Sequence, residues 1–171
     1  MTHSARVHRR QFLRITAMAG AAASAGACAA PAAIPSSSPN EKLNIAAVGV
    51  GGRAAGDLAG VAGENIVAIC DIDENRLAAA SRIYTGAKTF VDFRKMLQEM
   101  DKQIDAVVVG TPDHAHAPAS AMAMRMGKHC YCEKPLTHEV YEARVLAKLA
   151  AKHKLATQMG TQIHASANFR R

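Results

Sequence analysis

The segment that most constrains this chain runs from Asn44 to Leu58 and reads N-I-A-A-V-G-V-G-G-R-A-A-G-D-L. A short apolar run ends in Gly49, Gly51 and Gly52, and a small-residue helical pattern follows from Arg53. This order predicts a buried strand, a tight turn and a helix start, as a dinucleotide-binding turn requires. Gly49 makes the sharp turn, Gly51 lets backbone approach a pyrophosphate, and the small Ala54 lets the helix pack on the strand. Phosphates then meet free N–H groups at the helix N-terminus, where the dipole favours anions. A glycine turn alone is weak evidence, since it serves equally as a plain strand-to-helix connection. The second signal is an acid. A further apolar run, Ile66 to Cys70, ends in Asp71, about 20 residues beyond Gly51, where a carboxylate accepts from an adenosine ribose hydroxyl.

Strand and helix patterns alternate along the rest of the chain. Residues 73–83 have helical spacing with Asp73 as N-cap, 88–90 form an edge strand, and 93–100 a short amphipathic helix. Residues 105–109 read as a fully apolar strand broken by Gly110-Thr111-Pro112. Asp113 is the expected cap of the next helix, with Pro118 in its first turn and Gly127 as its stop. Residues 129–132 give a fifth strand, Thr137 the cap of a helix to about His153, and 155–159 a sixth strand ending in Gly160. The expected fold is α/β, a Rossmann-type doubly wound parallel sheet, over residues 42–160. No internal repeat of solenoid period is present.

In an open parallel sheet the ligand lies outside the carboxyl ends of the strands. Three strand exits besides the first carry polar groups there: Asp71, the run from Thr111 to His116, and Glu133-Lys134-Pro135. His114 and His116 form an H-x-H pair, but no third and fourth ligand has suitable spacing, so no metal is expected. A neutral imidazole at a helix N-terminus is expected instead to bond a cofactor ribose or a substrate hydroxyl. Lys134 reads either as a surface lysine paired with Glu133 or as an ammonium that stabilises a developing alkoxide beside a nicotinamide ring. The Lys134-Pro135 bond is a candidate cis peptide. Cys70 falls on the second strand and Cys130 and Cys132 on the fifth, which are not expected to be neighbours, and all three read as core thiols.

Composition limits the partners. Of 21 Lys and Arg residues four (Arg6, Arg9, Arg10, Arg14) precede residue 15; the other 17 against 14 acids reduce the formal charge from +7 to +3. With no basic stripe interleaved with aromatics, nucleic acid is not an expected partner. The arginine pair Arg9-Arg10, followed by Phe12-Leu13 and an uncharged Ala/Gly-rich run to residue 30, reads as a twin-arginine export signal too weakly apolar for a membrane span. Export of an already folded, cofactor-loaded protein to the periplasm follows as an expectation. Residues 25–28, A-G-A-C, weakly resemble a lipobox and make Cys28 an alternative lipid anchor. Residues 31–41, with three prolines and three serines, form a linker.

The glycine turn at 49–54, Cys-Asp-Ile-Asp at 70–73, Thr-Pro-Asp-His-Ala-His at 111–116, Gly-Lys-His at 127–129 and Glu-Lys-Pro at 133–135 occur in one order. Together they resemble the glucose-fructose oxidoreductase, inositol dehydrogenase and rhizopine-catabolism (Gfo/Idh/MocA) oxidoreductases. The resemblance implies that Gly49, Gly51 and Gly52 hold the pyrophosphate, with Arg53 beside them, and that Asp71 holds the adenosine ribose. Thr111, Pro112 and His116 would flank the nicotinamide, with Glu133 completing the cofactor contacts. Lys134, assisted by His116, is the implied catalytic group at the reacting hydroxyl or carbonyl. The implied cofactor is NAD, with NADP as the alternative, and the implied substrate a sugar or polyol. The family continues into a second α/β domain that supplies substrate contacts, an acid/base and the dimer surface. Residues 161–171 read as the start of that passage, so the chain is expected to be a truncated fragment that forms homo-oligomers only at full length. Two other functions fit the same motifs: an NAD-dependent glycosidase and a non-catalytic dinucleotide-binding module.

Overall fold

The computed structural model describes residues 42–161. The leader, the linker, Cys28 and the residues after Thr161 lie outside them.

Six strands, β1 (Asn44–Val48), β2 (Asn65–Cys70), β3 (Lys88–Phe90), β4 (Ala106–Val109), β5 (His129–Glu133) and β6 (Thr157–Gly160), form one sheet in the order β3-β2-β1-β4-β5-β6. Every pairing is parallel. Five helices connect them: α1 (Arg53–Gly60), α2 (Glu74–Ile83), α3 (Phe93–Glu99), α4 (Asp113–Arg125) and α5 (Val140–His153). Chain order runs outward from β1 to β3, then returns to β4 and runs the other way, so the order reverses between β1 and β4. That reversal opens the crevice used by ligands of doubly wound sheets.

Parallel strands covered on both faces carry apolar side chains at every position, which explains runs such as AVVV in β4. The period-2 alternation still sorts them into two layers. Ala46, Val48, Ala68, Cys70, Val107, Val109, Cys130 and Cys132 pack with Met96, Leu97, Ala119, Met124 and Leu146 from α3, α4 and α5. On the opposite face Ala47 and Ile69 meet Leu58, Leu77 and Ala80 from α1 and α2. The three thiols are free and buried, as their strand positions require. Burial pushes Cys70 and Cys132 up to about 12 and raises Cys130.

Local signals hold in some places and yield in others. Asp73 caps α2, accepting from Asn75 N–H at 2.9 Å and Arg76 N–H at 3.3 Å. Gly127 takes φ 78° just beyond α4, the left-handed ending glycine allows at little cost. Asp113, by contrast, is the first residue of α4, not its cap. Pro112 holds the cap position without a side-chain bond, its ring fixing the entry angle. Pro118 therefore sits more than a turn inside the helix, where its missing N–H removes one ladder bond on an exposed face.

Thr137 does not cap α5 either. Its hydroxyl donates to the Glu139 carbonyl, and Glu139 and Glu142 form the capping box. The sixth strand starts at Thr157, two residues later than the pattern predicts. Lys154 adopts φ 53° to close α5, and Leu155 N–H folds back onto the Ala150 carbonyl at 3.0 Å, so neither is free to pair.

Candidate functional site

Register levels the strand exits. Val48 pairs with Cys70 and Val109, and Val109 with Cys132, so Gly49, Asp71, Gly110 and Glu133 follow in one row above the sheet. Gly49 N–H donates to the Cys70 carbonyl at 2.8 Å and Gly110 N–H to the Val48 carbonyl at 2.9 Å, which extends the ladder by one residue on each side of the switch point.

Gly49 has φ 84°, and a Cβ placed there would lie 2.8 Å from the Gly110 carbonyl oxygen, so the position requires glycine on two counts. Gly52 has φ 53° and precedes α1 without any side-chain cap, and no acid occupies the first turn of α1. The first N–H groups of that helix therefore face outward without a side-chain acceptor, the arrangement that receives an anion.

Asp71 is fixed by the backbone it serves. Its Oδ2 accepts from Val50 N–H in the glycine turn at 2.9 Å, and its Oδ1 from Asp73 N–H at 3.0 Å. Each carboxylate oxygen has a further lone pair, so the group is oriented while capacity for a ribose hydroxyl remains. Arg76, which the motifs do not single out, lies across the face of Gly51 and pairs with Asp73 at 3.3 Å.

On the other side of the switch point Arg53, Gly110, Thr111, Asp113, His116, Glu133 and Lys134 line a cleft of about 290 Å³. That is room for a nicotinamide-sized ring. The Thr111 hydroxyl is buried beside it with no hydrogen-bond partner among the described residues. Pro112 is exposed at the rim. Lys134 is exposed and makes no ion pair with Glu133; its side chain has no partner among the described residues. The Lys134-Pro135 bond is cis.

His114 and His116 part company. Two residues apart on a helix, they point to different sides: His114 is exposed, while His116 is 1% exposed. His116 Nδ1 lies 2.6 Å from the Pro135 carbonyl oxygen and Nε2 lies 2.7 Å from that of Thr111. The expected nitrogen left over for a ligand is thus absent from His116, because both ring nitrogens lie against backbone carbonyl oxygens. Both nitrogens face backbone acceptors, and a neutral ring satisfies only one of them. Among the described residues no group of three or more His, Cys, Asp or Glu is arranged to hold a metal ion.

Glu133 is also buried, 4% exposed. Its Oε1 accepts from the Tyr131 hydroxyl at 3.0 Å and lies 3.5 Å from Arg53 Nε, while Arg53 Nη2 lies 3.0 Å from Asp57 Oδ1. Burial first, and the hydrogen bond to Glu133 next, push the Tyr131 phenol up to about 12. Asp57 belongs to none of the motifs, and no sequence signal marked it: it is a single acid one helical turn beyond Arg53.

A model of the oxidoreductase family with an NAD-binding Rossmann fold (Gfo/Idh/MocA) matches residues 43–161. The chain belongs to this family. Its fold, a six-stranded parallel Rossmann-type sheet, and its cofactor, NAD, follow. The inositol 2-dehydrogenase of Salmonella typhimurium is 35% identical over 77 residues, 44% of this chain and 22% of the relative. Inositol 2-dehydrogenase 3 of Saccharopolyspora erythraea is 33% identical over 111 residues, 64% and 32% of the two chains. The chain thus spans about a third or less of the length of these curated relatives. Among solved structures, the WlbA dehydrogenase of Chromobacterium violaceum, in complex with NADH and UDP-GlcNAcA, is 28% identical with a TM-score of 0.65, over 77% of this chain and 39% of that one. The myo-inositol 2-dehydrogenase of Lactobacillus plantarum is 25% identical with a TM-score of 0.70, over 76% and 39%.

The residues present fit the cofactor of this Gfo/Idh/MocA fold. An uncapped helix start, an oriented carboxylate with spare lone pairs and an unpaired buried hydroxyl at the cleft are the three kinds of partner that a pyrophosphate, a ribose and a carboxamide need. Among the described residues no helix is long and apolar enough to cross a membrane.

Proposed function

We propose that this chain is the cofactor half of an exported oxidoreductase that moves hydride between NAD and a hydroxyl-bearing carbon of a sugar or polyol. The observation that carries the reading is the row of strand exits, which gathers the turn at Gly49, Gly51 and Gly52, Asp71, Thr111 and Glu133-Lys134 around one crevice. Bound there, the nicotinamide supplies hydride acceptance and return at its C4.

Every other role falls to the chain. The N–H groups from Gly51 to Arg53 hold the pyrophosphate, and Arg53 adds charge beside it. Asp71 takes the adenosine ribose. The Thr111 hydroxyl, buried without a partner, turns to the nicotinamide end, with Pro112 bounding it. Lys134, exposed at the cleft, keeps its ammonium for the substrate oxygen; it would stabilise the oxyanion as a base takes the hydroxyl proton and the carbinol hydrogen passes as hydride to the nicotinamide. Glu133 anchors Arg53 at the rim, and His116 holds the Thr111 and Pro135 backbones that frame the pocket. The sugar or polyol class is supported by relatives described as inositol 2-dehydrogenases. Export is supported by Arg9-Arg10 and the uncharged run after it.

The test is a titration of the 171-residue chain with NAD and NADP, with Asp71→Ala as the control. Saturable binding that prefers NAD and weakens in the variant is expected; binding of neither would defeat the proposal. Export is tested by joining residues 1–40 to a folded reporter, whose appearance outside the cytoplasm should vanish when Arg9 and Arg10 are both changed to Lys.

A further inference from the structure

His116, in the first turn of α4, is buried and lines the same cleft as Thr111 and Lys134. Its ring spans two separate segments of backbone. Nδ1 lies 2.6 Å from the Pro135 carbonyl oxygen, in the turn after β5, and Nε2 lies 2.7 Å from that of Thr111, just ahead of α4. Neither carbonyl accepts from any other donor among the described residues. The helix does not draw on the Thr111 oxygen, because its first bond runs from Ala115 N–H to the Pro112 carbonyl at 2.9 Å.

A carbonyl oxygen can only accept, so each contact requires a proton on the nitrogen that faces it. A neutral imidazole has one such proton and would set the lone pair of its other nitrogen against an oxygen. Exchange of tautomer moves the mismatch from one carbonyl to the other without removing it. Turning the ring over would present C–H groups to both oxygens and lose both bonds. The imidazolium donates at both nitrogens, and both separations are shorter than the roughly 2.9 Å of a neutral N–H···O bond, as charge assistance makes them.

Burial and the positive end of the α4 dipole oppose this charge. The charged groups that line the cleft with His116 are Arg53 and Lys134, Asp113 and Glu133. Asp113, the first residue of α4 and three before His116, lies on the same side of the helix and offsets the dipole. We propose that His116 is held as an imidazolium, a two-sided donor that ties the Thr111 backbone to the Pro135 backbone and so fixes the cofactor edge of the cleft relative to Lys134. His116 is then a positioning residue, and the inference rests on the cofactor site proposed above. Loss of one proton leaves only one of the two backbones held. The two edges are then no longer fixed to each other, so affinity for NAD falls as pH rises through that loss.

The experiment records nitrogen-15 NMR of the histidine-labelled 171-residue chain from about pH 5 to about pH 9, the span over which histidines change charge, and measures NAD affinity over the same range. His116→Gln keeps one donor but has no ring to titrate. It assigns the His116 signals by their disappearance, and the exposed His114 is the internal reference. The natural chain should show a His116 ring with a proton on each nitrogen at neutral pH. NAD should bind about fivefold more weakly once that ring loses a proton, the worth of one hydrogen bond, and the profile of His116→Gln should lack this step. A His116 ring with one bare nitrogen across the whole span would overturn the proposal, and so would equal pH steps in the natural chain and in His116→Gln. If His116→Gln fails to fold, through-bond assignment of the ring in the natural chain still decides. Failure of the natural chain to bind NAD at any pH would instead overturn the cofactor reading, and the ring protons would still decide the clamp.

Discussion

From the exit of β1 to that of β5 the cleft changes from a backbone surface to a side-chain network. The first side is made of glycines, free N–H groups and one carboxylate tied to the main chain by Val50 and Asp73. The second is made of buried polar side chains locked together: His116 between two carbonyls, Glu133 between Tyr131 and Arg53, and Arg53 on Asp57. Recognition of a phosphate needs close approach and a local dipole, which backbone supplies. Placement of a reacting ring needs groups whose position survives in a dry pocket, and only interlocked side chains do that.

Substitutions should separate the two sides. Gly49→Val combines a left-handed backbone with a Cβ 2.8 Å from the Gly110 oxygen, and should cost about 3 kcal/mol or more in urea denaturation. Full stability in that variant would end the claim that sterics fix the first side. His116→Ala removes the ring that bridges the Thr111 and Pro135 carbonyls and should cost about 2 kcal/mol by the same measurement. Were NAD affinity to collapse with stability unchanged, His116 would be a ligand contact and not a brace.

The pH dependence of stability comes next. Asp57 is raised above 3.8 in the folded chain, so the unfolded chain loses this proton first. Its contribution is complete below the ordinary carboxylate value and is lost as pH rises through the raised one. Thermal melts of the natural chain should show this decline, and melts of Asp57→Asn should lack it. The smallest effect is expected at Asp73→Ala, which removes the α2 cap for about 1 kcal/mol and leaves the Asp71 bond to Val50 in place. A large loss of NAD affinity there would mean that the first side leans on side chains after all.

The same contrast decides what was legible in the sequence. Strands covered on both faces read as apolar runs, and the turn reads because glycine is obligatory where φ is positive and backbone crowds, both local rules. Asp71 read correctly as the acid of the second strand's exit because its distance from the turn is set by one helix and one strand. The side-chain network was opaque. Nothing near Asp57 in sequence names Glu133, and His116 was expected to keep a nitrogen for a ligand because the Pro135 carbonyl that occupies it comes from another element. Helix starts failed for a related reason: Asp113 and Thr137 are sound caps by type, but Pro112 and the Glu139–Glu142 box already satisfied those ends.

The contact between Gly110 and α1 bears on how the cleft moves. A Cβ on Gly110 would lie 2.5 Å from that of Ala54, just as one on Gly49 would strike the Gly110 oxygen, so the first turn of the helix is seated directly on the end of β4 with no side chain between them. Such a joint has no slack to take up. The spacing between the phosphate turn and Thr111 is then a rigid gauge, set before any ligand arrives, and the dinucleotide meets a slot of fixed width. Relaxation measurements on the amides of residues 49–54 and 110–111 should find them equally still with and without NAD, and any closure that accompanies binding must hinge elsewhere.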